Sequence, residues 1–340
     1  MREIPESIDH PAAWRGQQLL SREDWLQTLS PTWIQEIQTA LELTRNLPDD
    51  AISKERFPLP TFGQALSRIQ ISLENGSGAT LLRGLDPSTY ANDDRRRLFL
   101  GILSHVGTPI SQSADGDLVF SVRDEGFGES DPRTRGPNTS KKLSFHTDRC
   151  DVIGFLCLNQ ALEGGENEIV SSIAVYNEIR ARRPDLLQHL LEPFYYKRHN
   201  VDGGNSLPWC RQPIFSFHEG HFASAFLRVL IERAYALPEI ADMTALQREA
   251  LDFVEAVAAE PEMHVRFRQE PGDILLLNNW VTYHRRSAFV DHEDPALKRH
   301  ILRIWLSTPN SRPLAPWFKD NYGATEAGAI RGGMRKSQAT

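Results

Sequence analysis

Two periods of apolar residues run along the chain, and the change between them falls near residue 117. Before that point the spacing is mostly helical. Within residues 1–50, "SREDWLQTLSPTWIQEIQTALELTRNL" places apolar side chains at helical intervals, which predicts peripheral helix broken at Pro31. Residues 60–75 predict another helix, ended by the turn cluster "ENGSG". "ATLLRGL" (79–85) reads as a short strand. "NDDRRRLFLGILSHVG" (92–107) reads as a helix capped by Asn92 or Asp93 and closed by Gly107.

Beyond residue 117 the runs shorten. "DLVFSV", "LSFHTD", "VIGFLCL" and "NEIVSS" alternate or run apolar between Gly, Pro and Asp, as strands do. "IAVYNEIRARRPDLLQHLL" returns to helix, "QPIFSFHEG" reads as strand and turn, and residues 222–259 read mainly as helix, interrupted near Pro238. "PGDILLLNNW" opens a strand after a Pro-Gly turn, and "RHILRIWLS" is the last strand. There is no internal repeat, and the lack of regular β-α alternation argues against Rossmann and TIM architectures. The pattern predicts a mainly-β fold with added helices, built on a double-stranded β-helix (jelly roll) core. One domain over 1–340 is the simplest division: a helical N-terminal region (1–77), a jelly-roll core with helical insertions (78–310) and an irregular Pro/Gly-rich C-terminal tail (311–340).

Composition narrows the partners. The chain has 340 residues, 40% hydrophobic and 24% charged, as globular proteins have. Lys+Arg is 38 against Asp+Glu 45, for a net charge of −7 with no basic block, so nucleic acid is set aside. The longest apolar stretches, such as "ILLL" at 274–277, are far short of a bilayer span. "MREIPESIDHPAAW" has no apolar leader core, and Cys150, Cys157 and Cys210 form neither a zinc pattern nor a disulfide framework. A reducing, cytoplasmic setting and a small-molecule partner follow; a homo-oligomer is left open. Cys150 reads as a small buried hydrophobe.

The candidate chemistry starts at "KKLSFHTDRCDVIGF" (141–155). If this is a strand, His146 and Asp148 share one face while Phe145 and Thr147 take the other. One imidazole and one carboxylate need a further ligand, and His284 in "NNWVTYHRRSAF" is the candidate. Two His and one carboxylate on one octahedral face leave positions open, which suits a non-haem Fe(II) oxygenase better than a closed structural zinc site. Such an oxygenase needs electrons, which a 2-oxo acid can supply. A dicarboxylate such as 2-oxoglutarate also needs a cation for its far end, best an Arg fork. Arg299 and Arg303 in "KRHILRIWL" share a strand face with Ile301, a costly placement unless each meets an anion. A hairpin through "DHEDP" (291–295) would bring one of them near His284.

These residues together resemble the TauD/TfdA family of Fe(II)/2-oxoglutarate dioxygenases, including its clavaminate-synthase-like members. The matching motifs are "FHTD" (145–148), "GGE" (164–166), "PGDILLLNN" (271–279), His284 and "RHILRIWL" (299–306), in family order over residues 78–310. The resemblance implies that His146, Asp148 and His284 are the catalytic metal ligands. It implies that Arg299 binds the distal carboxylate of 2-oxoglutarate, and that Arg303 matches a position meeting an acidic substrate group in some members. Asn167 stands where the family often has a hydroxyl residue helping to hold 2-oxoglutarate, and an amide can donate a similar bond. Many members read "HGR" at the third ligand; here it is "HRR", and Arg285 has no assigned role. In related halogenases a small residue replaces the carboxylate, so Asp148 implies O2-dependent hydroxylation, or desaturation or ring closure, with release of succinate and CO2.

Arg303, with Lys142 four residues before His146, points to a small anionic or amino-acid-like substrate. "HEGH" (218–221) mimics a zincin helix, but its His spacing is three rather than four. "RGG" (331–333) reads either as a tail folded over the site or as a loose terminus. Two other readings stay open here. A metal-dependent hydrolase would leave Arg299 and Arg303 without use, and a non-catalytic metal- or ligand-binding jelly roll would not need open coordination sites.

Overall fold

The computed structural model describes residues 5–127, 136–198 and 207–334. In chain order the strands are β1 (Leu26–Thr28), β2 (Ala79–Arg83), β3 (Thr108–Ile110), β4 (Phe120–Val122), β5 (Val152–Asn159), β6 (Glu163–Gly164), β7 (Asn167–Ser171), β8 (Phe194–Lys197), β9 (Trp209–Gln212), β10 (Phe215–His218), β11 (His221–Ser224), β12 (His264–Phe267), β13 (Ile274–Asn278), β14 (Thr282–Arg286), β15 (Phe289–Val290) and β16 (His300–Ser307). The helices are α1 (Pro31–Thr44), α2 (Phe62–Asn75), α3 (Asn92–Leu103), α4 (Ser172–Arg182), α5 (Pro184–Leu190), α6 (Arg228–Tyr235), α7 (Ala245–Ala259) and the short α8 (Lys319–Tyr322).

A seven-stranded sheet runs β1-β2-β13-β5-β16-β3, with β4 also on β16; β1 and β2 pair parallel and the other pairs are antiparallel. A smaller sheet, β12-β7-β14, lies against it. One buried cluster joins the facing surfaces: Ile169 and Val265 from the small sheet meet Ile153, Leu275, Leu277 and Trp305 from the large one. The other face of the large sheet carries Leu156, Leu276, Leu302 and Ile304, and α1–α3 cover it. The outer face of the small sheet carries Val170 and Tyr283, covered by α4–α7 and the β10–β11 hairpin. The alternation read in "RHILRIWL" is therefore real: Ile301 and Trp305 face between the sheets, while Leu302 and Ile304 face the helices.

Several local expectations change. Pro31 does not break a helix but starts one, at the first position of α1 after Ser30, whose hydroxyl accepts from Trp33 N at 3.2 Å. The segment before it contributes β1 rather than helix. α3 ends at Leu103 and has no side-chain cap from Asn92 or Asp93. Residues 221–224 are strand, not helix, because "HEGH" is a β-hairpin: Glu219 and Gly220 turn with positive φ and His218 pairs with His221. "LSFHTD" is not a regular strand. It makes a single bridge, His146 to His284, and is otherwise extended loop. Lastly, β14 and β16 are not a hairpin. They sit in different sheets, so Arg303 comes near His284 across the interior rather than along a ladder.

Candidate active site

The HxD segment lies between the sheets. His146 N donates to His284 O at 3.0 Å and His284 N to His146 O at 3.1 Å, which holds the loop to β14. Phe145 and Thr147 are buried on one side, leaving His146 and Asp148 on the other, so the expected alternation survives without a strand. Asp148 N donates to Asn279 Oδ1 at 3.0 Å, and Asn279 N donates to Asp151 O at 2.9 Å. Asn279, the last residue of the "PGDILLLNN" motif, thus sets the path of the loop at the carboxylate. Its signal in the sequence was a buried-strand motif ending in two amides.

One ligand atom each from His146, Asp148 and His284 lie within 4.8 Å of one another. His284 Nε2 is 3.8 Å from Asp148 Oδ2, too far for a hydrogen bond, so the atoms converge without satisfying each other. His146 Nδ1 lies 2.8 Å from the Ser144 carbonyl, which fixes the tautomer and frees Nε2. Burial first, then His146 and Arg303, push His284 down to about 3, so it is a neutral imidazole, the form that binds metal. Burial pushes Asp148 up, but Arg303, His146 and His284 outweigh it and hold the carboxyl below its usual value. A neutral His284 imidazole, a His146 ring with Nε2 turned free and a carboxyl held below its usual value converge on one point and fit a divalent iron.

Arg303 is buried behind this cluster. Its Nη1 lies 3.3 Å from Asp148 Oδ2, its Nε donates to Gln112 Oε1 at 2.7 Å, and its guanidinium stacks over Trp305 at 4.8 Å. It is therefore paired with Asp148. Arg299 is different. Among the described residues its buried Nη1 has no hydrogen-bond partner. Burial, against Cys157 and Asp291, pushes it down to about 10. It lines a cavity of about 220 Å³ with Asn167, Gln269, Arg268 and Ile301. Asn167 donates to Gln269 Oε1 at 3.0 Å. Gly165 explains the "GGE" motif: at φ +72° a Cβ would sit 3.2 Å from Arg299 Nε, where the guanidinium needs the space.

The two arginines of "HRR" separate by strand alternation. Arg285 faces outward, paired with Glu168 and stacked on Phe145 at 4.1 Å. Arg286 faces inward with His284, donates to the carbonyls of Thr139 (2.7 Å) and Lys141, and shares the Phe289 ring with Arg299. Burial, then Arg299, lowers it to about 9. Lys142 is exposed. The "RGG" segment packs against the HxD loop. Gly332 N donates to Tyr322 O and Gly333 N to Arg149 O, each at 2.8 Å, while Arg331 is buried on Asp151 at 2.6 Å. A Cβ at Gly332 (φ +79°) would collide with the Arg149 carbonyl. Residues 335–340 of the tail lie outside the described residues. A second cavity, about 470 Å³, opens beside Asp148 between this tail and β8, β9 and α6.

Residues 42–305 match the family described as "Taurine catabolism dioxygenase TauD, TfdA family". The chain belongs to this family. It is an enzyme of the non-haem iron class that works with Fe(II), 2-oxoglutarate and O2. That decides against the hydrolase and the non-catalytic reading. The dioxygenase is 31% identical over 316 residues to the FR-33289 synthase of Streptomyces rubellomurinus (strain ATCC 31215), covering 91% of this chain and 93% of that one. It is 26% identical over 208 residues to a uridine-5'-phosphate dioxygenase of Streptomyces sp, covering 58% and 74%. In fold it resembles asparagine oxygenase solved in complex with Fe(II), (2S,3S)-3-hydroxyasparagine and succinate: TM-score 0.65, 19% identity, 83% of this chain and 93% of that one. Among the described residues, no helix of the dioxygenase is long and apolar enough to cross a membrane.

Proposed function

We propose that His146, Asp148 and His284 hold the iron, that Arg299 pairs with the distal carboxylate of 2-oxoglutarate, and that Asn167 lines the same pocket. The observation that carries this reading is the pairing of an unsatisfied, buried Arg299 with a triad whose ligand atoms converge. When bound, iron and 2-oxoglutarate supply the activation of O2, with succinate and CO2 released. The protein's part is placement. Ser144 orients His146, and Asn279 and Arg303 position Asp148. Arg286 and Arg299 share the Phe289 ring and put two guanidiniums at one end of this pocket.

The scaffold is a double-stranded β-helix within one domain over 1–340, with a helical region over 1–77, the core over 78–310 and a tail over 311–340, working in the cytoplasm. The substrate is a small anionic or amino-acid-like metabolite, hydroxylated or, from the same hydrogen abstraction, desaturated or cyclised. Its support is the cationic surroundings of Asp148 and the relatives' names, which include a nucleotide and an amino acid. The test is succinate formation from 2-oxoglutarate, with O2 uptake in step, in a screen of anionic and neutral metabolites. Turnover driven only by neutral compounds would reject the substrate class. Unchanged iron affinity in Asp148→Ala and His284→Ala would reject the ligand set.

A further inference from the structure

Gln112 lies in the loop between β3 and β4 and is completely buried. An amide taken out of water needs its polar atoms met. Here it meets both ends of one residue. Its Oε1 accepts from Arg303 Nε at 2.7 Å, and its Nε2 donates to the Arg303 carbonyl and to the Leu118 carbonyl, each at 2.9 Å. A donor on one side and two carbonyls on the other leave the amide one way round. The Gln112 backbone N donates to the Asp117 carbonyl at 2.9 Å, so the loop that carries the amide closes on itself.

Arg303 is pinned as a result. Its guanidinium lies over the Phe120 ring at 5.1 Å and the Trp305 ring at 4.8 Å, and Gln112 takes its Nε. The tip of the fork then stops 3.3 Å from Asp148 Oδ2. Charge-assisted N–H to carboxylate bonds normally close to about 2.7–2.9 Å, often through two nitrogens at once. Arg83 and the buried Asp273 show that closed form in the same chain: Nε meets Oδ1 at 2.9 Å and Nη2 meets Oδ2 at 2.7 Å. Arg303 cannot offer Asp148 the same Nε–Nη2 edge, because Gln112 occupies Nε. Asp148 is left with one long contact to the arginine and still converges with His146 and His284.

We propose that Gln112 is a positioning residue of the metal site: it holds Arg303 short of a closed ion pair, so that the guanidinium orients the Asp148 carboxylate without taking it from the metal. The inference rests on the assignment of Asp148 as an iron ligand. It makes Arg303 a fixed part of the iron site, and the loop between β3 and β4 the element that sets it.

The experiment is anaerobic calorimetric titration of the metal-free full chain with Fe(II), in wild type, Gln112→Leu, Arg303→Met, the double variant and Asp148→Ala, with thermal unfolding of each. Gln112→Leu should weaken Fe(II) about tenfold. In the Arg303→Met background the same substitution should change the affinity less than about twofold, because the side chain it restrains is gone. Gln112→Glu keeps the acceptor on Arg303 Nε and loses the donors to the carbonyls, and should stay within about threefold of wild type. A residue that only ties its loop to β16 would act alike with and without the Arg303 side chain, and Glu would not rescue it. Wild-type affinity in Gln112→Leu overturns the proposal, as does an equal loss in both backgrounds or a Gln112→Glu protein as weak as Gln112→Leu. If Gln112→Leu does not fold, Gln112→Glu decides alone, and a tenfold loss there overturns the proposal. Asp148→Ala separates the two claims. Fe(II) bound equally by wild type and Asp148→Ala, or by neither, overturns the ligand assignment and this proposal with it. Fe(II) lost in Asp148→Ala but unmoved in Gln112→Leu overturns the proposal alone.

Discussion

Arg312 and Arg299 are each 5% exposed, yet their surroundings are opposite. Arg312 Nε meets Glu74 Oε1 at 2.7 Å, Nη1 meets the Phe222 carbonyl at 2.6 Å and Nη2 the Glu74 carbonyl at 3.2 Å. The charge is closed: it ties the end of α2 to the C-terminal segment and to β11. Arg299 has a carboxylate nearby, but Asp291 Oδ1 accepts from the Arg299 backbone N at 2.8 Å, while the buried Nη1 goes unmet among the described residues. A buried charge with each of its three nitrogens bonded and a carboxylate beside it holds the fold together. A buried charge with an open donor facing a cavity is a place for a ligand.

The comparison can be broken at several points. The largest effect should come from Arg312→Ala, which strands Glu74 and should cost about 3–5 kcal/mol of stability. Thermal and denaturant unfolding would read it, while the 2-oxoglutarate affinity of the folded fraction stays unchanged. Arg299→Ala should do the reverse. Losing a charge-assisted bond of about 1.5–3 kcal/mol weakens 2-oxoglutarate roughly 10- to 150-fold, with iron affinity intact and a melting temperature unchanged or raised. An Arg299→Ala protein with wild-type 2-oxoglutarate affinity would dissolve the distinction. Asn167→Ala removes a neutral amide beside the same pocket and should cost about 0.5–1.5 kcal/mol in that affinity.

The smallest effect concerns a third closed charge. Burial raises Asp24, but hydrogen bonds from Arg22, Ser77 and Ser72 win and bring it down to about 2. A depressed carboxyl stabilises the fold above its ordinary pKa near 4 and loses that contribution as pH falls through about 2. Because Asp24 is partly exposed, screening reduces the expected contribution to about 1 kcal/mol. Asp24→Asn should flatten the acid limb of the stability curve by that amount, measured by urea unfolding between neutral and acid pH.

Much of this site was legible in the chain because its residues fall in short patterned runs. Strand alternation put Arg299 and Arg303 inside with Ile301, and the two-residue spacing put His146 and Asp148 together. What escaped was set by contacts distant in sequence. Arg303 reaches Asp148 across two facing sheets, which no hairpin register could reveal. Arg149 looks like a surface residue after an active-site motif until the tail, 184 positions on, supplies its acceptor. The strand and turn read in "IFSFHEG" are there, and the errors of local punctuation lie beside it and at Pro31: the chain after the turn returns as strand β11 rather than starting a helix, and Pro31 opens a helix rather than breaking one. The role of "RGG" depended on the Arg149 carbonyl, which leaves no room for a side chain at Gly332.

The central claim is that the His146–Asp148–His284 cluster and Arg299 together make one binding unit for iron and 2-oxoglutarate. Its most direct test is anaerobic titration of the metal-free protein with Fe(II) and 2-oxoglutarate, following the weak visible metal-to-ligand charge-transfer band. The band should appear only when both are present, disappear in Asp148→Ala, and require more 2-oxoglutarate in Arg299→Ala. Iron binding with no band at any 2-oxoglutarate concentration would contradict it.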